Sequence, residues 1–192
     1  MKKAMIGYQI YSAREDAEKD LFGTLKKIAE MGYDGVEFAG FYHYTVDEIK
    51  KALEESGLVA ISAHVPLAEI EKDMFKTISD YKAIGCKYIA VPYTDDECRP
   101  GGPRFAETIR NIYKFGRLCR EAGIQLLYHN HDFEFTKISG MYGLDFIYEA
   151  VDACTLKTEI DTCWVKYAGE NPAEYVKKYA GRCPVVHLKD YV

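Results

Sequence analysis

Ile124-Gln125-Leu126-Leu127-Tyr128-His129-Asn130-His131-Asp132 changes character halfway along. A helical segment stops at Gly123, four mostly apolar residues follow, and then come side chains that bind metals and carry protons. An apolar run after a helix stop predicts a buried parallel strand. Alternation along a strand sends His129 and His131 to one side, Tyr128 and Asn130 to the other. Chemistry gathered where a buried strand ends is how an α/β protein presents a site. The plain alternative is a pair of histidines in a surface loop; two later strands that end the same way count against it.

Outward from this stretch the chain repeats one unit: short strand, turn, amphipathic helix, glycine. Met5 to Tyr11 is the first expected strand, followed by a helix from about Asp20 that stops at Gly32. Gly35 to Ala39 is the second, and Thr45 with Glu48 forms a capping box for a helix ending at Gly57. Leu58 to Val65 is the third strand; the next helix runs to Gly85, and Lys87 to Pro92 is the fourth strand. After a Pro/Gly loop at 100–103 and a helix to Gly123 comes the central strand, then a helix over Leu144 to Val151. Leu156 to Cys163 is the sixth strand, Asn171-Pro172 opens a helix, and Pro184 to Leu188 is the seventh strand. Alternating strands and helices of this length predict a (β/α) barrel of parallel strands. No Gly-x-Gly-x-x-Gly follows a strand, so a dinucleotide fold lacks its phosphate cradle. Such barrels close with eight strands, and material for seven is present.

The 192 residues are 48% hydrophobic, enough to bury a core, and the net charge is −5 with both signs interspersed. The absence of a basic stripe argues against nucleic acid as a partner, and no apolar run approaches a membrane span. The opening Met1 to Ile6 reads as no signal peptide. None of the six cysteines forms a Cys-x-x-Cys pair, which suggests reduced thiols and a cytoplasmic protein; Cys163, beside Asp161, is the one to place relative to a site.

Polar residues collect at the strand ends: Gln9, Glu37, His64, Tyr93, His129, His131, Glu159, Asp161, His187 and Lys189. In a barrel these ends converge on one mouth. Histidine and carboxylate from several strands suit a divalent ion such as Mn²⁺, Mg²⁺, Co²⁺ or Zn²⁺, and one ion with a few acid/base groups is enough to polarise a carbonyl and move a proton beside it. Blander readings stand beside these: Glu37 as a satisfied pair at the barrel wall, His64 as a strand-end cap, and Glu159 with Lys189 as a buried ion pair. Trp164 is a candidate sugar-stacking wall.

Tyr8-Gln9-Ile10-Tyr11-Ser12, Gly32 to Phe38 and Ser62-Ala63-His64 resemble the first three strands of the sugar phosphate isomerase/epimerase superfamily, the xylose-isomerase-like TIM barrels. Tyr128 to Phe135, Glu159 to Trp164 and His187-Leu188-Lys189-Asp190 resemble strands five to seven of one subgroup. The resemblance spans the chain and implies a metal-dependent enzyme acting on a small sugar or polyol. It implies that His129, Asp161 and His187 bind the metal, with histidine at position 129 where the family usually has glutamate, and Trp164 where it usually has histidine. Gln9, Glu37, His64, His131 and Trp164 would line the substrate pocket, and Glu159 and Lys189 would be the acid/base pair.

The expectation is one domain over residues 1–192, with helix seven and strand eight missing. Its expected function is isomerisation or epimerisation by proton transfer next to a metal-polarised carbonyl or hydroxyl. The alternatives are a truncated, catalytically incompetent barrel or sugar-binding module, and an inosose dehydratase-like lyase. An endonuclease IV-like reading fits the fold but not the acidic charge. Unpaired edges on the first and seventh strands favour a homo-oligomer.

Overall fold

Val36 and Phe38 alternate with Glu37, so the second strand buries an apolar face against helices and turns a carboxylate the other way. The computed structural model describes residues 4–190 and builds that pattern into a sheet. Residues Met1 to Lys3, part of the opening read above, lie outside the described residues, as do Tyr191 and Val192. The strands are β1 (Gly7–Gln9), β2 (Gly35–Phe38), β3 (Val59–His64), β4 (Tyr88–Val91), β5 (Gln125–His129), β6 (Lys137–Ile138), β7 (Met141–Tyr142), β8 (Leu156–Asp161) and β9 (Val185–His187). Seven of them form one parallel sheet in the order β1-β2-β3-β4-β5-β8-β9, while β6 and β7 form a small antiparallel hairpin. Helices α1 (Arg14–Lys19), α2 (Leu21–Glu30), α3 (Val46–Ser56), α4 (Leu67–Lys72), α5 (Met74–Ala83), α6 (Phe105–Glu121), α7 (Gly143–Ala150), α8 (Thr162–Tyr167) and α9 (Pro172–Lys178) intervene.

The sheet is curled into a half-barrel, and one contact shows how strongly. Strands β2 and β9 stand five steps apart in the order, about 24 Å on a flat sheet at about 4.8 Å per step. Yet Glu37 Oε1 at the end of β2 lies 2.9 Å from His187 Nε2 at the end of β9. Only a curled sheet brings those two side chains together. Among the described residues β1 and β9 each pair on one side only.

Local rules set the boundaries. Thr45 and Glu48 make the expected capping box, Glu48 N–H donating to Thr45 Oγ1 and Thr45 N–H to Glu48 Oε2. Gly57 ends α3 in the left-handed region at φ 73°, where a side chain is costly. Gly35 is required for space, since a Cβ there would sit 2.4 Å from the Val59 carbonyl oxygen. The helix expected to run to Gly85 is two helices. Asp73 leaves helical geometry at φ −158° and its carboxylate caps α5 by accepting from Phe75 and Lys76 N–H. The first strand is shorter than expected, because the chain tightens into a 3₁₀ turn at Ile10–Ala13. No helix among the described residues is long and apolar enough to cross a membrane.

Candidate active site at the strand ends

Register places the chemistry. Asp161 pairs with His187 across β8 and β9, and His129 pairs with Glu159 across β5 and β8. A register slip between Val36 and Glu37 lets Glu37 face Ser62, whose hydroxyl donates to Glu37 Oε2 at 2.5 Å. His64, at the end of β3, is the hub. Its Nε2 lies 2.7 Å from Glu159 Oε2 and 3.1 Å from Glu37 Oε1, while Gln9 Nε2 sits 3.3 Å from its Nδ1. The imidazoles of His64, His129 and His187 stand with ring centres 4.8–5.2 Å apart.

The three residues expected as metal ligands converge. His129 Nε2 is 3.3 Å and His187 Nδ1 is 3.9 Å from the same atom, Asp161 Oδ2. Lys189 reaches that oxygen too, at 3.2 Å. This corrects the expected Glu159–Lys189 pair. In the β8–β9 register Glu159 is level with Val185 and Asp161 with His187, so Lys189, two residues past His187, meets Asp161 rather than Glu159. Glu37 is likewise no isolated wall pair: it faces two histidines and a serine.

The electrostatics follow from burial and these contacts. Burial pushes His64 and His129 down to about 4, against the pull of Glu37 on the first and Asp161 on the second. Burial would also lower His187, but the Glu159 and Glu37 carboxyls outweigh it and carry it up to about 9. Glu37 resists the upward push of burial and falls well below the usual carboxylate range through His64 and His187. Glu159 is driven well above that range by burial and by the Glu37 charge. Against burial, the His129 hydrogen bond and the Trp164 N–H hold Asp161 at about 2.

Several polar atoms here are buried without a well-directed hydrogen bond: His129 Nδ1, and the oxygens Glu37 Oε1, Glu159 Oε1 and Asp161 Oδ2, each of which has an imidazole or ammonium nitrogen 2.9–3.6 Å away. Burial without a partner costs free energy, so such atoms crowded at one point ask for a ligand. Imidazole nitrogens and carboxylate oxygens are the donors a divalent ion takes. Glu37, His64, Glu159 and His187 could hold one, each with a ligand atom within 4.8 Å of the others, and His64, His129 and His187 form a second such grouping. The residues fit the group that the resemblance implies.

Above the polar floor stands an aromatic rim. His131 stacks on Phe133 at 7° and tilts against Trp164, while Tyr93 meets both His131 and Phe133 edge-on. Lys189 Nζ lies 4.7 Å from the Trp164 ring centre. Arg99 sits 4.0 Å over Phe133 and donates to the Thr94 carbonyl. Cys163 is beside the site rather than in it, its thiol near the Asp190 carbonyl. Sequence reasoning missed Phe133 and Arg99 at the rim, and Asn130 and Glu134 behind it, although three of these lie within the stretch 128–135.

The pattern of the xylose isomerase-like TIM barrel family matches residues 25–192. An inosose dehydratase of Clostridium botulinum is 28% identical over 187 residues, covering 87% of this chain and 62% of that protein. The chain thus spans 62% of the length of that relative. A sugar phosphate isomerase/epimerase from Parabacteroides distasonis superposes with TM-score 0.85 at 25% identity, covering 98% of this chain and 79% of the other. The 3-keto-D-glucoside 4-epimerase of E. coli does so with TM-score 0.71 at 17% identity, covering 98% and 80%, a likeness of fold. With its parallel half-barrel and a match over most of its length, the chain belongs to the xylose isomerase-like TIM barrel family.

Proposed function

We propose that this mouth moves a proton next to a carbonyl or hydroxyl of a small sugar or polyol, as an isomerase or epimerase assisted by a divalent metal. One observation carries the reading: six carboxylate and imidazole side chains from five strands, Glu37, His64, His129, Glu159, Asp161 and His187, meet buried at one end of a curled sheet, close enough for several of them to share one ion. His187 belongs to each ligand grouping, and His129 and Asp161 complete the one that matches the family positions. The ion, when bound, supplies Lewis acidity that makes the neighbouring C–H or O–H easier to deprotonate.

The chain's own groups do the rest. Lys189 stands half-exposed at the rim, where a substrate can reach its amine, and Asp161 holds it in place. Glu159 is fully buried against His64 and His187, so the group that meets the substrate is Lys189, whose ammonium, paired with Asp161, can give a proton to the substrate oxygen. Trp164, His131 and Phe133 present ring faces on which the C–H face of a sugar stacks. Gln9 orients His64.

A second reading has its own support: the C. botulinum relative is named for dehydration of inosose. Dehydration begins with the same proton abstraction and then expels a hydroxyl as water. Incubation of keto-sugars and inososes in D₂O with Mn²⁺ separates the two by NMR. Solvent deuterium at the carbon beside the carbonyl, abolished in Lys189→Met and His187→Ala, is the expected result, and loss of water with growth of enone absorbance marks the lyase. Wild-type protein that exchanges no proton with any of these substrates would overturn the proposal.

A further inference from the structure

We infer that Trp164 is a positioning residue for Lys189: its indole face and the Asp161 carboxylate together clamp the amine at the mouth. The inference rests on the proton-transfer reading above, which gives Lys189 its task, and adds what puts the amine in place.

Lys189 needs such a device. Strand β9 ends at His187, so the β8–β9 ladder does not hold residue 189. Its neighbour Leu188 is 82% exposed and anchors nothing in the core. An amine on a flexible four-carbon stem wanders unless side-chain contacts fix it.

Four consecutive residues at the end of β8 and the start of α8 supply those contacts. Thr162 Oγ1 donates to the His187 carbonyl at 2.8 Å and the Cys163 thiol to the Asp190 carbonyl at 3.5 Å, pinning the backbone on both sides of Lys189. Cys163, which the acid/base chemistry leaves unused, thereby has a place in the same device. Asp161 Oδ2 lies 3.2 Å from Lys189 Nζ, and the Trp164 ring centre lies 4.7 Å from it.

Trp164 does two things at once. Its backbone N–H donates to Asp161 Oδ1 at 2.9 Å, fixing the carboxylate whose other oxygen meets the ammonium. Its ring takes the ammonium itself, and the quadrupole of an indole attracts a cation more strongly than any other side-chain ring. The ring is in turn held, tilted against His131 at 5.0 Å and edge-on to Tyr167 at 5.5 Å. The ion pair alone is a weak hold, because the Lys189 side chain is 46% exposed and exposed pairs contribute little. A sugar stacked on this indole then meets the amine across the width of one ring, so a single side chain sets both stacking and proton delivery.

The test reads the amine directly in the whole chain. Limiting acetic anhydride followed by mass spectrometry gives the acylation rate of Lys189 relative to Lys26, an exposed lysine of α2. Trp164→Leu should raise that ratio about threefold, and Trp164→Phe, which keeps an aromatic face, should restore at least half of the protection. Ring current gives a second signal. The Lys189 Cε methylene protons, identified by their absence in Lys189→Met, should lie upfield of the other lysines and return among them in Trp164→Leu. Equal ratios in wild type and Trp164→Leu, a Trp164→Phe ratio as high as that of Trp164→Leu, or a wild-type methylene among the other lysines overturns the clamp. Should Trp164→Leu fail to fold by circular dichroism, the wild-type methylene decides alone. Neither readout uses substrate or metal, so both are separate from the D₂O exchange that decides the proton-transfer reading.

Discussion

The two sides of β5 where it ends differ in one respect. Toward the interior, His129 and His131 each leave a buried Nδ1 without a partner, and oxygens of Asp161, Glu159 and Glu37 meet imidazoles and the Lys189 ammonium without a well-directed hydrogen bond. On the outer side Tyr128 donates to Glu134 Oε1 at 2.8 Å, His131 N–H donates to Glu134 Oε2 at 2.8 Å, and Tyr148 donates to the Tyr128 carbonyl. Asn130 accepts from Asp161 N–H at 2.9 Å and donates to the Asp161 carbonyl at 3.2 Å, continuing the β5–β8 ladder one step past the strand. Both sides bury polar groups, but only the outer one satisfies its own. Paired burial is architecture; unpaired burial, concentrated at one point, is a site.

The sharpest way to break this contrast is Asn130→Ala. It leaves a buried N–H and a buried carbonyl unpaired, at about 1–3 kcal/mol for each lost partner, so the chain should lose about 3 kcal/mol in urea unfolding. A loss under about 1 kcal/mol would mean the outer network holds nothing. Glu134 gives the next effect. Burial, resisted by the His131 N–H and the Tyr128 hydroxyl, raises it to about 7 against 4.5 unfolded. The folded state therefore keeps a proton that the unfolded state releases. Its contribution is fully present below pH 4.5 and is lost as pH rises to about 7, with a slope of at most about 1.4 kcal/mol per pH unit. Subtracting unfolding curves of Glu134→Gln from the wild type isolates this slope, which should vanish in the variant. Smallest is Glu159→Gln in metal-free protein. Burial and the Glu37 charge push its carboxyl well above the usual range and so favour its uncharged form, which the amide mimics, and stability at pH 7 should change by less than about 1 kcal/mol. A loss as large as that of Asn130→Ala would move Glu159 from site to scaffold.

The sequence carries the fold openly, since apolar runs punctuated by Gly32, Gly57, Gly85 and Gly123 mark four of the strand starts almost to the residue. It also carries the strand-end chemistry, because alternation fixes which side His129 and His131 take. It does not carry His64 as the hub. A single histidine before Pro66 has no local partner, and Glu159 is 95 residues away. Nor does it show which acid Lys189 meets, since that depends on how far β9 is slid along β8, a tertiary quantity. Asn130 and Glu134 sit inside the most informative stretch of the chain, yet their roles stay hidden until the Asp161 backbone and the Tyr128 hydroxyl are in place.

Among the described residues, strand β9 joins the sheet through three registered pairs on one side only. Its entry is anchored, for the Arg182 guanidinium donates to the carbonyls of Tyr148, Val151 and Leu156. Its exit carries His187, tied by Thr162 Oγ1 donating to the His187 carbonyl. The cluster and the sheet margin therefore share one fastening. Whatever grips His187 from the far side of the curl also clasps the last strand to the second, and each hundredfold excess over its dissociation constant tightens that margin by about 2.7 kcal/mol. Occupancy and edge order become one equilibrium, measurable in the hydrogen exchange of Val185, Val186 and His187.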